Sequence, residues 1–210
     1  MEQNSKRYSN PRIRNREVRE QFAEPAWLTM RMLLDVMNLK DPSTRGHSSR
    51  VGEYTCRLAA ALGMTPVETD RTVMAALLHD IGKIGVRDTI LFKESGLDSA
   101  EWAEIRRHCE YGWSILRDIP QFEEVGLMLL HHHERFDGHG YPVGLKGNEI
   151  PYGARIISVA DAFDAMTSDR PYRNSIGVAA AVRELTVNAG TQFDPEIVQA
   201  FLDLMKRDTE

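Results

Sequence analysis

Val125-Gly126-Leu127-Met128-Leu129-Leu130-His131-His132-His133-Glu134-Arg135-Phe136-Asp137-Gly138-His139-Gly140-Tyr141-Pro142 opens apolar, runs into three consecutive histidines, and ends among glycines and a proline. Val125 and Leu129 stand four apart and share a helical face. The spacing predicts a helix over 123–135 whose C-terminal end carries the histidine run. Four of the seven histidines fall within nine positions here, and a fifth sits in the pair His79-Asp80. Neutral imidazole is the commonest metal-ligating side chain, and imidazole beside carboxylate suits Fe, Mn or Zn. The first expectation is a helical protein that holds metal.

Outward from this stretch the chain reads as all-α. Leu28, Met32, Leu33, Val36 and Met37 lie at helical spacing over 27–39, preceded by Pro25. Asp41-Pro42 reads as an N-cap with proline at the first helical position, starting a second helix with Val51, Tyr54, Leu58 and Leu62 on one face and Gly63 closing it. Thr65-Pro66-Val67-Glu68 is a capping box that opens a helix running into His79-Asp80. Asp98-Ser99-Ala100-Glu101 starts another, through Ile105 and His108 to Leu116. Residues 136–151 hold four glycines and two prolines and form a loop. Helices over 154–167, 176–189 and 195–206 complete the chain; Pro171 limits the first, and Asp194 caps the last. No alternating apolar run predicts a sheet, and no internal repeat is present.

At 210 residues and 42% hydrophobic content the chain can bury a real core. No apolar run approaches the ~18 residues of a membrane span, and the N-terminus lacks the apolar stretch of a signal peptide. Cys56 and Cys109 stand far apart with no Cys-x-x-Cys spacing, the pattern of two reduced thiols in a cytoplasmic protein. A net charge of −5 argues against a nucleic-acid polymer as partner. Within residues 6–19, Lys6, Arg7, Arg12, Arg14, Arg16 and Arg19 stand against Glu17 alone, so residues 1–25 read as a basic segment, disordered or a linker, ahead of a domain over 26–210.

His47 begins a helical turn, His79-Asp80 ends a helix, His108 sits inside another, and His132 and His133 end a fourth. Asp161 follows Ile156-Ile157-Ser158-Val159-Ala160, where a carboxylate is costly to bury unless paired or bound to a cation. Asp164 lies one turn on and can orient a ligand. A helical bundle can turn such residues into one core and build a dinuclear site.

Four segments in this order carry a specific resemblance: Asp41-Pro42-Ser43-Thr44-Arg45-Gly46-His47-Ser48-Ser49-Arg50-Val51; His79-Asp80-Ile81-Gly82-Lys83; His132-His133-Glu134-Arg135-Phe136-Asp137-Gly138-His139-Gly140-Tyr141-Pro142; and Asp161 through Asp164 to Asp169-Arg170-Pro171-Tyr172-Arg173. With Gly190-Thr191-Gln192-Phe193-Asp194-Pro195 near the end, the chain from about 30 to 205 closely resembles the HD-GYP branch of the HD-domain phosphohydrolases. The resemblance implies an HD-type helical bundle around two divalent cations, iron or manganese, that hydrolyses the bacterial second messenger cyclic di-GMP. By position it implies His47, His79, Asp80, His108, His132, His133 and Asp161 as ligands, with Asp80 bridging. His131 and His139 match no ligand position, and Glu134 matches a supporting one. Relatives with a third metal carry a glutamate where this chain has Ser43, a poor ligand for a hard cation, so two ions are expected.

Two cations lower the pKa of a shared water and stabilise charge on the phosphorus oxygens. Lys83 would neutralise developing charge or assist the leaving oxygen. Arginine's planar fork suits phosphate, and the resemblance places Arg170 and Arg173 in the substrate cleft, with Tyr141 shaping it. The expected product is mainly pGpG, with GMP as a further product. Two other readings suit the same residues: a hydrolase of another cyclic dinucleotide such as cyclic GMP-AMP, and a non-catalytic cyclic di-GMP receptor or docking module. The sequence shows no receiver or sensor domain, so regulation is expected from a partner, such as a diguanylate cyclase or a sensor protein, from the N-terminal segment, or from substrate level.

Overall fold

The computed structural model describes residues 24–41, 46–169 and 174–207, with side chains from Leu28 onward. Among these residues there are ten α-helices and no strand, apart from an isolated bridge between Ala189 and Phe193. They are α1 (Glu24–Lys40), α2 (His47–Ala61), α3 (Pro66–Leu78), α4 (Asp88–Leu91), α5 (Ser99–Arg106), α6 (His108–Leu116), α7 (Glu123–His131), α8 (Tyr152–Thr167), α9 (Val178–Val187) and α10 (Pro195–Arg207). A 3-10 turn, Ile81–Gly85, links α3 to α4.

Several starts follow from their first residues. Thr65 Oγ1 accepts from the Glu68 amide while the Glu68 carboxylate accepts from the Thr65 amide, the reciprocal capping box that opens α3. Asp98 and Glu101 do the same for α5. Asp194 Oδ1 accepts from the Glu196 amide at 2.9 Å and caps α10. Each pairing satisfies amides that the helix itself leaves without acceptors.

Other boundaries depart from the sequence reading. Asp41 is not the N-cap of the second helix: its amide donates to the Met37 carbonyl at 2.9 Å, continuing the end of α1. Helix α2 begins at His47 behind Gly46, whose φ of 92° is a conformation glycine adopts without strain. The stretch between, 42–45, lies outside the described residues. The helix expected over 98–116 is two, broken at Arg107. Helix α7 ends at His131, four residues early, where the Glu134 amide donates to the His131 carbonyl and tightens the chain into a turn. The short helix α4 and the 3-10 turn Pro120–Phe122 have no periodic signal long enough to read.

Helix α8 runs between two hydrophobic clusters. Ile157 and Ala160 pack with Met30, Val51, Leu78, Ile81, Leu116 and Leu129 from α1, α2, α3, the 3-10 turn, α6 and α7. On its other side Ile156, Val159 and Phe163 pack with Leu58, Leu185, Ile197 and Phe201 from α2, α9 and α10. A helix buried on both sides is apolar almost all round, which is why Asp161 and Asp164 stand out in its sequence. Both point to the end of the bundle where α2, α3, α6 and α7 present their histidines.

Candidate metal centre

Three histidines are oriented by one device. His79 Nδ1 lies 2.7 Å from the Ala76 carbonyl, His108 Nδ1 2.7 Å from that of Ile105, and His132 Nδ1 2.7 Å from that of Leu129. A carbonyl oxygen only accepts, so each Nδ1–H donates and each neutral ring keeps a bare Nε2. The spacing is three residues every time: a histidine at a helix end folds back on its own last or preceding turn. His47 uses a carboxylate instead, its Nδ1 2.7 Å from Asp164 Oδ2 and its Nε2 3.2 Å from Asp161 Oδ1. Arg50 holds Asp164 in turn, its Nη2 donating to Oδ2 at 3.0 Å.

The donor atoms gather into two groups, His47, His79 and Asp80 in one, and His108, Cys109, His132 and His133 in the other. Within each group they lie within 4.8 Å of one another. Asp80 reaches toward both. Its Oδ2 is 3.4 Å from His79 Nε2 and its Oδ1 3.8 Å from His108 Nε2. Asp161 Oδ1, 3.9 Å from His79 Nε2, joins the first group. All seven residues that the resemblance implies as ligands are thus brought together.

The electrostatics suit a cation. Burial pushes His132 and His133 down, reinforced by neighbouring imidazoles, and takes His133 to about 3. Burial also lowers His108, more than Asp80 raises it. Burial alone would raise Asp80, but Lys83 and His79 hold it well below the usual carboxylate range; His47 does the same for Asp161. For His47 burial lowers the value, yet its hydrogen bonds to Asp161 and Asp164 outweigh this and lift it to about 9. The centre therefore offers ionised carboxylates at Asp80 and Asp161 and neutral rings at His108, His132 and His133, the protonation states that ligation requires, while His47 is held as a cation by its carboxylates until a metal displaces the proton. His132 Nε2 is buried without a hydrogen-bond partner, a costly state for a polar atom that a cation relieves. These residues fit a metal.

Glycine sets the approach of the two groups. An added Cβ at Gly82 would stand 1.8 Å from the His108 carbonyl and 2.5 Å from the Gly112 amide. Only glycine in His79-Asp80-Ile81-Gly82-Lys83 lets the 3-10 turn rest on the start of α6. The break at Arg107 gives His108 its own helix start and lets it face Asp80. Lys83 folds back to put Nζ 2.7 Å from Asp80 Oδ2.

The HD domain family profile matches residues 31–197. The chain belongs to the HD domain family. It is 41% identical over 184 residues to a protein of Thermotoga maritima named cyclic di-GMP phosphodiesterase, covering 85% of this chain and 50% of that protein. It is 41% identical over 165 residues to 3'3'-cGAMP-specific phosphodiesterase 3 of Vibrio cholerae, covering 79% of this chain and 36% of that protein. The chain spans half the length or less of these curated relatives. Among solved structures, a cyclic GMP-AMP-specific phosphodiesterase of V. cholerae shares the fold with a TM-score of 0.65 at 21% identity, over 84% of this chain and 47% of that one. The HD domain of the Listeria monocytogenes phosphodiesterase PgpH does so with a TM-score of 0.56 at 16% identity, over 81% and 92%.

Around this HD-domain centre the Gly-Tyr-Pro loop is tied down from below. Glu134 is buried and accepts from the Val143 amide at 2.8 Å and the Gly144 amide at 3.0 Å, a supporting role for the loop. A Cβ at Gly140 would meet the Arg135 amide at 2.3 Å, so the loop backbone lies directly on residues 134–135. The Tyr141 ring rests against His133 at 4.9 Å between centroids, and the Arg106 guanidinium lies 5.2 Å over Tyr141. His131 is buried near Glu134, and His139 is exposed beside Asp137, consistent with neither being a ligand. A cavity of about 190 Å³ opens at the centre, lined by His132, His133, Asp161, Arg135, Ser158 and Gln192 among others.

Sequence reasoning missed Arg50, Arg106, Arg135, Gln192 and Cys109 as neighbours of the centre. Arg50 was legible, since three positions after His47 on one helix is the same face. Gln192 was not, because a separate loop brings it in through the Phe136 amide, which donates to its carbonyl at 3.1 Å. Ser43, Arg170 and Arg173 lie outside the described residues. No helix among the described residues is long and apolar enough to cross a membrane.

Proposed function

We propose that residues 26–210 form a catalytic domain that hydrolyses a phosphodiester bond of cyclic di-GMP, using two divalent cations, iron or manganese, held by His47, His79, Asp80, His108, His132, His133 and Asp161. The observation that carries this reading is the position of Asp80, one oxygen toward each of two donor groups. The name of the 41%-identical Thermotoga relative supports the substrate. When bound, a cation pair polarises the scissile phosphate and lowers the pKa of water beside it.

The chain's own residues do the rest. Asp80 and Asp161 supply the anionic charge that balances the cations, and Asp164 with Arg50 keeps His47 turned inward. Lys83 stays charged, its Nζ fixed against Asp80, and stands ready to offset negative charge on the phosphate. Tyr141 packs against His133, which lines the cavity, and so shapes the cleft from behind that ring. Arg170 and Arg173 follow α8, the helix of Asp161, and grip the non-bridging phosphate oxygens.

The test is product analysis by time-resolved chromatography on the purified chain, loaded anaerobically with iron(II) or with manganese(II). Cyclic di-GMP should be consumed and pGpG should accumulate, because with Ser43 in place of a carboxylate two ions suffice for one phosphate and none remains for the second. No turnover by protein carrying two metals sinks the enzyme reading and favours a receptor. GMP without a pGpG pool sinks the two-ion argument. Cyclic GMP-AMP belongs in the same assay, since a 41%-identical relative of V. cholerae is named for it.

A further inference from the structure

The two donor groups are chemically unequal. The first offers imidazole and carboxylate from His47, His79, Asp80 and Asp161. The second offers three imidazoles and a sulfur, because Cys109 Sγ lies within 4.8 Å of donor nitrogens of His108, His132 and His133. Cys109 is fully buried, yet it belongs to neither hydrophobic cluster. A buried cysteine acting only as a small apolar side chain packs in such a cluster; this one faces the rings instead. Its Sγ is 3.5 Å from His108 Nε2. With bonds of about 2.3 Å to sulfur and 2.05 Å to nitrogen, neighbouring donors of a tetrahedral site stand roughly 3.6 Å apart. Independently, His132 Nε2 points into this same group, buried and without a partner.

We propose that Cys109 is a metal ligand in its own right, making the second position a nitrogen-and-sulfur site, so that the two positions differ in the cation each prefers. This rests on the metal-centre reading above. Binding would form the sulfur–metal bond as the S–H bond breaks, its electron pair staying on sulfur and its proton leaving to water. Thiolate selects softer cations of the zinc class, whereas the imidazole-carboxylate position suits manganese or iron.

The full chain loaded anaerobically with cobalt(II) tests this. With two cobalt ions bound, the wild type should show thiolate-to-cobalt charge-transfer absorption in the near ultraviolet. Cys56→Ala should retain it, since Cys56 lies in neither donor group, and Cys109→Ser should lose it with circular dichroism unchanged. In competition, Cys109→Ser should give up about tenfold or more of the wild type's preference for cadmium(II) over manganese(II). If Cys109→Ser fails to fold, X-ray absorption on the wild type decides, through a sulfur scatterer at about 2.3 Å. Two cobalt ions bound without the absorption or the scatterer overturn the cysteine ligand and leave the metal centre standing. No cobalt uptake overturns both.

Discussion

Gly82→Ala tests whether the contact between the His-Asp turn and α6 builds the centre. The new Cβ would meet the His108 carbonyl at 1.8 Å, and real Cβ atoms essentially never approach a neighbour closer than 3.0 Å. The two backbones must therefore part by at least 1.2 Å, the difference between those distances. Neither can yield easily, because the Gly112 amide blocks the next path at 2.5 Å. Overpacking of this kind costs about 1–3 kcal/mol, and at this chain length each kcal/mol lowers Tm by roughly 2–4 °C. A fall of about 2–12 °C is expected by thermal circular dichroism. The displacement also carries His108 away from Asp80, now 3.8 Å from it. One metal equivalent should bind far more weakly by titration, and turnover should fall about a hundredfold, the usual cost of a 1 Å misplacement. Gly96→Ala is the control, since nothing lies within 4 Å of its added Cβ and its φ is not positive. An unchanged Tm and two intact metal affinities in Gly82→Ala would refute the reasoning.

Asp164→Ala removes the acceptor shared by His47 and Arg50; it should cost about 1.5–3 kcal/mol by denaturant titration and weaken metal binding by about 10–100-fold, and an unaltered metal affinity would remove Asp164 from the orientation of His47. Glu134→Ala frees the Val143 and Gly144 amides and should speed hydrogen exchange across 136–151 while both metals stay bound; slow exchange there would mean something else anchors the loop. Arg170→Ala and Arg173→Ala should each weaken substrate binding by about 1.5–3 kcal/mol with metal content unchanged, and wild-type affinity in both would put the cleft elsewhere.

The sequence carried the centre further than it carried the helix ends. Asp161 was legible because α8 is apolar on both sides, so a carboxylate in it needs a partner. The capping boxes at Thr65 and Asp98 were legible because their hydrogen bonds are local. The break at Arg107 was not: the helix that restarts at His108 rests against Gly82, 25 positions before Arg107 in the chain. Asp41-Pro42 reads locally as a cap, but the Asp41 amide bonds back into α1. Cys109 illustrates the limit best. Cysteine spacing in sequence separates disulfides from zinc motifs, yet a donor one residue after a histidine gives no such pattern, and only the packing of α6 against α7 reveals which way its sulfur faces.

The centre also has a thermodynamic logic that the helices make necessary. Five rings converge from α2, the end of α3, α6 and the end of α7, and the burial that keeps His132 and His133 neutral leaves His132 Nε2 unpaired. Such an atom costs the fold on the order of 1–3 kcal/mol. The backbone carbonyls of Ala76, Ile105 and Leu129 have already fixed three of these rings, so little side-chain entropy remains to lose when a cation binds. Local strain and cation affinity thus have the same origin. The hydrogen bonds that occupy Nδ1 of these rings also turn their Nε2 lone pairs toward the two donor groups, and metal binding should raise Tm because it completes a pattern the backbone has already imposed.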